Sequence, residues 1–308
     1  MAELPERMRA LRVNALAPDF DGCALEEIAT PRPRDGEALV RIRAASIGFP
    51  DLLMTRGEYQ ARPQLPFTPG SDIAGDVVAV GAGVEGVKVG DAVVATALGG
   101  GFAEYAPYRV DLLRPKPERL DYAQAAAFGA AYLTAYVALV RRAQLRPAEW
   151  VLVHGAAGGV GLAAVDLARA LGARVIAASS SDEKLAIVAA EYATDAAVNV
   201  AGGFKDRVNH ITGGDGADVI FDPVGGDVFD ESVRCIAFDG RLLVIGFTSG
   251  RLPTLPANLA LIKGFSLLGV RAGEYGRRFP ERGRNLPRPA RSLRARSCPT
   301  RWRDAPRA

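Results

Sequence analysis

Histidine and cysteine are scarce in this chain. Two histidines and three cysteines, Cys23, Cys235 and Cys298, are scattered over 308 residues. An odd number of distant cysteines does not make a disulfide scaffold and fits incidental thiols in a reducing compartment. No four-cysteine cluster exists to hold a structural metal. The opening MAELPERMRALRV is charged and lacks an apolar core, so no secretory leader is read there and a cytoplasmic location is expected. Long apolar runs are also missing, with one exception. Residues 123–140 carry no charge and reach the lower length limit of a membrane span. This run is dominated by alanine and contains Gln124, Gly129 and Thr134, so a buried Ala-rich helix pair is expected rather than a membrane segment.

Charge is unevenly placed. The net +3 hides a tail, residues 277–308, with eleven arginines against Glu281 and Asp304. The rest of the chain is mildly acidic, so a nucleic-acid reading has no support outside the tail. The tail also holds five prolines and shows no apolar spacing. An unfolded, solvated end is expected there, with a basic nucleic-acid arm as the lesser reading. The apolar fraction of 49% rules out disorder as the overall class.

Residues 9–120 read as short strands separated by Gly and Pro, with strands at 38–46, 73–80 and 92–95. That pattern suggests a β-rich domain or barrel. Near residue 121 it changes to helical sequence, with Asp121 placed to cap it. From there strands alternate with helices: 150–154, 174–178, 197–200, 218–221, 241–245 and 266–270. Such alternation implies a doubly wound parallel sheet covered by helices on both faces, an α/β fold.

The strongest local signal is GAAGGVG at 155–161, between a strand and a helix. In the G-x-G-x-x-G fingerprint the first glycine turns the chain, the second lets backbone approach a pyrophosphate, and the third lets the helix pack on the strand. Ala156, Gly158 and Gly161 take those places, with Ala157, Gly159 and Val160 among them. The amides opening the following helix favour bound phosphate. A Rossmann dinucleotide site is therefore expected. At the end of the next strand NAD sites usually carry an acid. Here the chain runs Ser179-Ser180-Ser181-Asp182-Glu183-Lys184. The serines tolerate a 2′-phosphate and Lys184 attracts one, which favours NADPH. Equally, the serines serve as helix caps, Lys184 as a surface residue, and Asp182 as the ribose ligand.

These residues resemble the medium-chain dehydrogenase/reductase superfamily, and within it the zinc-free NADPH:quinone reductase branch. The resemblance rests on GFPDLLMTRGEYQARPQLPFTPGSDIAGDVVAVGAGVEGVKVGDAV at 48–94, GGFAEYA at 100–106, AAAFGAAYLTAYVAL at 125–139, VLVHGAAGGVGLAAVDLARALGARVIA at 151–177 and ADVIFDPVGG at 217–226. It covers residues 8–276. It implies a GroES-like β-rich substrate domain at 1–122, a Rossmann NADP-binding domain at 123–270, an active site in the cleft between them, and a homodimer. Zinc-dependent relatives place a cysteine near 45–48 and a histidine at 71. This chain has Gly48 and Ser71, so no metal is expected. His154 and His210 are read as structural or surface histidines.

Without a Lewis acid, the easier hydride acceptor is a quinone or an α,β-unsaturated carbonyl, whose conjugation spreads the arriving charge. The resemblance places Tyr59 near such a substrate and Thr134 near the nicotinamide, although each also reads as an ordinary packed residue. It brings the backbone of Gly246 and Phe247 to the carboxamide. Asp51 reads either as orienting its loop or as a plain turn residue. Many relatives have Asn where Gly48 stands. The family continues beyond 266–270 with a long helix and closing strands, whereas residues 271–308 form an Arg/Pro-rich segment resembling a GC-rich gene read out of frame. A quinone or enone reductase is expected, with two alternatives: an enoyl-thioester reductase, or a dinucleotide binder impaired by its C-terminus.

Overall fold

A computed structural model describes residues 4–18 and 20–279. They fall into two compact units divided between Gly129 and Ala130. The division lies inside a helix, seven residues beyond the boundary read from sequence.

The first unit is built on antiparallel strands. β1 (Arg7–Val13) and β2 (Cys23–Ala29) form a hairpin-like pair. β3 (Glu37–Ser46), β4 (Asp72–Val80), β5 (Ala92–Thr96), β6 (Tyr105–Arg109) and β7 (Leu113–Pro115) form a five-stranded sheet in the order β6-β3-β4-β5-β7. Alternation drives it: Ala38, Val40, Ile73, Val77, Val93, Ala106 and Tyr108 all turn inward into one apolar cluster. A short helix, α1 (Phe49–Thr55), interrupts the strands. It begins with Pro50 in its first turn, where a missing N–H does no harm.

Helix α2 (Tyr122–Tyr136) starts at a reciprocal cap. Gln124 N donates to Asp121 Oδ1 at 2.7 Å, and Asp121 N donates to Gln124 Oε1 at 3.1 Å. Asp121 thus caps the helix as its position in sequence predicts. The expected helix pair is instead a single helix, because nothing between 123 and 140 breaks it. It widens into a π-helical end over Val137–Arg142. By length and composition Tyr122–Arg142 is long and apolar enough to cross a membrane. Its apolar residues are nonetheless used by cores: Ala125 and Ala126 pack on Ala74, while Ala135, Ala138 and Leu139 join the core of the second unit.

The second unit is a six-stranded parallel sheet: β8 (Trp150–Val153), β9 (Arg174–Ser179), β10 (Ala196–Asn199), β11 (Ala217–Asp222), β12 (Ile236–Val244) and β13 (Ser266–Gly269). The order β10-β9-β8-β11-β12-β13 reverses direction of winding between β8 and β11. Both faces are buried, so β8 and β9 read as continuous apolar runs rather than alternating ones. The crossovers are α3 (Gly159–Ala170), α4 (Asp182–Tyr192), α5 (Lys205–Ile211), α6 (Gly226–Cys235) and α7 (Ala257–Lys263). Small residues on the buried face of α3, Ala163, Ala164 and Ala168, let it sit close to the sheet. A largely buried ion pair, Arg241 to Glu149 at 2.6 Å, ties β12 to the loop entering β8.

Residues 272–278, which the sequence reading assigned to the atypical C-terminal segment, form helix α8 (Ala272–Arg278), which packs on residues 137–142. Residues 280–308 of the expected tail lie outside the described residues.

Candidate functional site

In the second unit, the C-terminal ends of β8 and β11 flank the point where strand order reverses, the place where doubly wound sheets bind ligands. β8 runs into a turn at Gly155, and α3 follows with Gly158 as its N-cap. A glycine cap offers no side chain to the first amides of the helix, so they are left for a ligand or water. Open space lies beside Gly159, where an added Cβ meets nothing within 4 Å. Gly161 is the opposite case: its Cβ would lie 2.1 Å from the Gly155 carbonyl oxygen. The turn is further fixed by Ala156 N donating to Ala178 O at 3.0 Å. These residues make a cradle that fits a pyrophosphate, with the helix dipole favouring its charge.

At the tip of β9, Ser179 is half-buried, Ser180 is exposed, and Lys184 is exposed on the first turn of α4. Ser181 caps α4, with Lys184 N donating to its Oγ at 3.3 Å. The capping role thus falls to Ser181. Asp182, the candidate ribose ligand, accepts a hydrogen bond from Asn199 Nδ2 at 2.8 Å.

Gly246 and Phe247 follow β12 and lie against the turn 222–226. A Cβ at Gly246 would sit 3.4 Å from Pro223 O, and one at Gly225 would sit 3.0 Å from the Phe247 ring. Sequence reasoning passed over Asp222, which closes this turn. It is 2% exposed and accepts from Val224 N at 2.8 Å and Gly225 N at 3.0 Å. Burial raises its pKa above the ordinary carboxylate value, partly offset by those two amides. The run Asp-Pro-Val-Gly carried the signal, since Asp readily bonds backbone two residues on.

Thr134 is half-buried on α2; its neighbours Ala131 and Ala135 pack into the cluster that holds Ala156 and Val160. Tyr59 belongs to the first unit, where its ring packs against Val13, Met54 and Phe67. In that unit the loop before α1 is held by Asp51, which is 3% exposed. Its carboxylate accepts from Gly48 N at 2.8 Å, Gly70 N at 3.1 Å and Ser71 Oγ at 2.8 Å. Asp51 therefore orients this loop and is more than a turn residue. The span 45–48, where the resemblance implies a thiol, reads Ala45-Ser46-Ile47-Gly48, and the position where it implies an imidazole holds the Ser71 hydroxyl. This donor set does not fit zinc, and no group of three or more metal-ligating side chains occurs among the described residues.

Buried His154 directly follows β8. Its Nε2 lies 2.8 Å from Ser232 Oγ, and Ser232 Oγ donates to Val228 O at 2.7 Å. Because the serine proton is used there, the imidazole is the donor, which makes His154 an Nε2–H tautomer. His210 lies on α5.

Two family models match the chain. One, the alcohol dehydrogenase GroES-like domain, matches residues 34–118, and the other, described as a zinc-binding dehydrogenase, matches residues 159–286. A quinone oxidoreductase-like protein 2 homolog from Nematostella vectensis is 40% identical over 278 residues, 89% of this chain and 74% of that protein. Quinone oxidoreductase-like protein 2 from Bos taurus is 41% identical over 266 residues, 85% and 76% of the two chains. A solved mycobacterial structure complexed with NADPH superposes with a TM-score of 0.79 at 30% identity, covering 88% of this chain and 84% of that one.

Proposed function

From the premise that this chain belongs to the medium-chain dehydrogenase/reductase superfamily, in its quinone oxidoreductase-like branch, we propose that it is a cytoplasmic, NADPH-dependent, zinc-independent reductase of quinones or α,β-unsaturated carbonyls. That it is an NAD(P)H-dependent oxidoreductase follows from the family. The acceptor class is carried by one observation. Where zinc relatives ligate metal, Asp51 gathers Gly48, Gly70 and Ser71 into a hydrogen-bonded loop with no thiol or imidazole. A conjugated acceptor needs only hydrogen bonding to its developing oxyanion. The relatives named as quinone oxidoreductases support the same choice.

The nicotinamide, when bound, supplies the hydride. In this reading the amides of Gly159, Val160 and Gly161 hold the pyrophosphate, with Ala156, Ala157 and Gly158 shaping the turn beneath them. Ser179, Ser180 and Lys184 receive the 2′-phosphate. Gly246 and Phe247 present backbone to the carboxamide. Thr134 and Tyr59 hydrogen-bond the nicotinamide and the acceptor; packing of the Tyr59 ring restricts its rotamers and so fixes its hydroxyl.

NADPH oxidation measured against a panel of quinones, enones and enoyl thioesters tests the proposal. Turnover confined to simple aldehydes, or turnover requiring added zinc, refutes it. Fastest turnover of the thioesters selects the enoyl-thioester alternative. Lys184→Ala is expected to weaken NADPH binding about fivefold, the worth of one exposed ion pair near 1 kcal/mol, with NADH unchanged. Titration of nicotinamide fluorescence reads both; equal losses overturn the phosphate role of Lys184.

The same reading includes a homodimer. Among the described residues β13 is an edge strand, and Phe238, Leu261 and Ile262 near it are 82%, 82% and 70% exposed. An unpaired edge beside apolar side chains favours pairing with a second copy. Sedimentation is expected to give a dimer, and Leu261→Glu together with Ile262→Lys to give a monomer. A monomeric wild-type protein refutes the assembly.

A further inference from the structure

The turn at 222–226 stands between the two ends of the proposed dinucleotide site. On one side it meets the phosphate turn: a Cβ on Gly155 would lie 3.4 Å from Pro223 Cγ. On the other it is zipped to the segment after β12. Thr248 N donates to Pro223 O at 3.1 Å, Ser249 N to Val224 O at 3.0 Å, and Gly226 N to Arg251 O at 3.2 Å. Gly225 and Gly226 hold φ of +71° and +56°, so the turn uses backbone conformations that side chains resist. A Cβ on Gly226 would lie 2.7 Å from Ser249 Oγ. The two segments therefore fit as a matched pair, and displacement of one moves the other.

A single side chain fixes the turn. The Asp222 carboxylate takes the Val224 and Gly225 amides, and its backbone carbonyl accepts from Ile245 N at 2.9 Å. Pro223, with its own φ fixed, leaves little freedom between these anchors. We propose that Asp222 is a positioning residue for the nicotinamide half of the cofactor: by clamping the 222–226 turn between the phosphate cradle and the Gly246–Phe247 segment, it sets the spacing between the pyrophosphate and the carboxamide. It acts through backbone and touches no reacting atom. The charge is not what this role needs; two hydrogen bonds accepted by one oxygen are.

The inference rests on the dinucleotide reading, and the test separates the two. Binding of NADPH is compared with binding of 2′-phospho-ADP-ribose, which lacks the nicotinamide, for wild type, Asp222→Ala and Asp222→Asn. Asp222→Ala is expected to lose about tenfold in NADPH affinity, the effect of one to two lost hydrogen bonds. Affinity for 2′-phospho-ADP-ribose should stay within twofold. Asp222→Asn keeps the accepting oxygen and is expected to restore NADPH affinity to near wild type. If Asp222→Ala does not fold, Asp222→Glu, which moves the oxygens one bond outward, reads the same ratio. Equal weakening of both ligands shows a merely structural role and overturns the proposal, as does unchanged NADPH binding in Asp222→Ala. Failure of the wild-type protein to bind either ligand removes the dinucleotide reading and this inference with it.

Discussion

Gly161→Val is expected to abolish dinucleotide binding and to lower stability by about 2–3 kcal/mol or more, the upper range for overpacking a close contact. The added Cβ alone would stand 2.1 Å from Gly155 O, 2.7 Å from its carbonyl carbon and 2.9 Å from Ala156 Cα. All three are backbone atoms, so no rotamer change relieves the overlap. Either the Gly155 turn opens or α3 lifts from the sheet, taking Ala163, Ala164, Val165, Leu167 and Ala168 from their buried sites. Both outcomes destroy the phosphate cradle. Gly159→Ala provides the contrast. Its Cβ meets nothing within 4 Å, so the fold should be as stable as wild type or slightly more, because alanine is the better helix former. If the pyrophosphate binds as proposed, the methyl group would instead occupy its space, and affinity for NADPH should fall about tenfold, one lost close contact of about 1.4 kcal/mol. Urea unfolding and fluorescence titration on both variants distinguish the packing glycine from the approach glycine. Undiminished binding by Gly159→Ala would show that the pyrophosphate lies elsewhere, and wild-type stability in Gly161→Val would show that the turn yields easily.

The strand, glycine-rich turn and helix around residues 150–179 were legible in the sequence because everything that makes them lies within about 30 residues of chain. Strand, turn, helix and strand follow one another, and each local preference agrees with the final structure. Asp121 was legible for the same reason, since its capping partner Gln124 is one turn away. Other features depend on pairings that no local pattern announces. Asp51 meets Gly70 and Ser71 from 19 and 20 residues away, and His154 meets Ser232 from 78. The start of β12 was misplaced because residues 236–240 end in Asp-Gly, which reads as a turn. The structure keeps them in the strand, with Asp239 at φ +61° and a register shift against β11. The two ends of α2 serve different cores, and that division of labour is invisible in a uniformly alanine-rich run.

His154 should make the protein acid-sensitive in a window set by one imidazole. Burial alone depresses its pKa from 6.5 to about 3. Its ring sits edge-on to Phe204 with centroids 4.9 Å apart, its Nε2–H is given to Ser232, and its Nδ1 has no partner among the described residues. Among the described residues no carboxylate acts on it to welcome a second proton. The folded state therefore stays neutral while the unfolded chain takes up a proton below pH 6.5. Stability conferred by the neutral ring is complete above pH 6.5 and declines as pH falls, by about 1.4 kcal/mol per unit, until the folded group itself protonates near pH 3. The integrated effect is on the order of 5 kcal/mol, comparable with the whole stability of many domains. His154→Gln removes the titration while keeping an amide that reaches toward Ser232. At pH 7 the variant should be the less stable protein, having lost the packed ring. Its stability should then fall less steeply, so that the gap to wild type narrows steadily from pH 6.5 downward. All other titrating groups are common to both proteins and cancel in the difference. Urea unfolding at pH 7, 6, 5 and 4 measures the difference, and parallel stability curves for the two proteins would show that the buried ring does not govern the acid response.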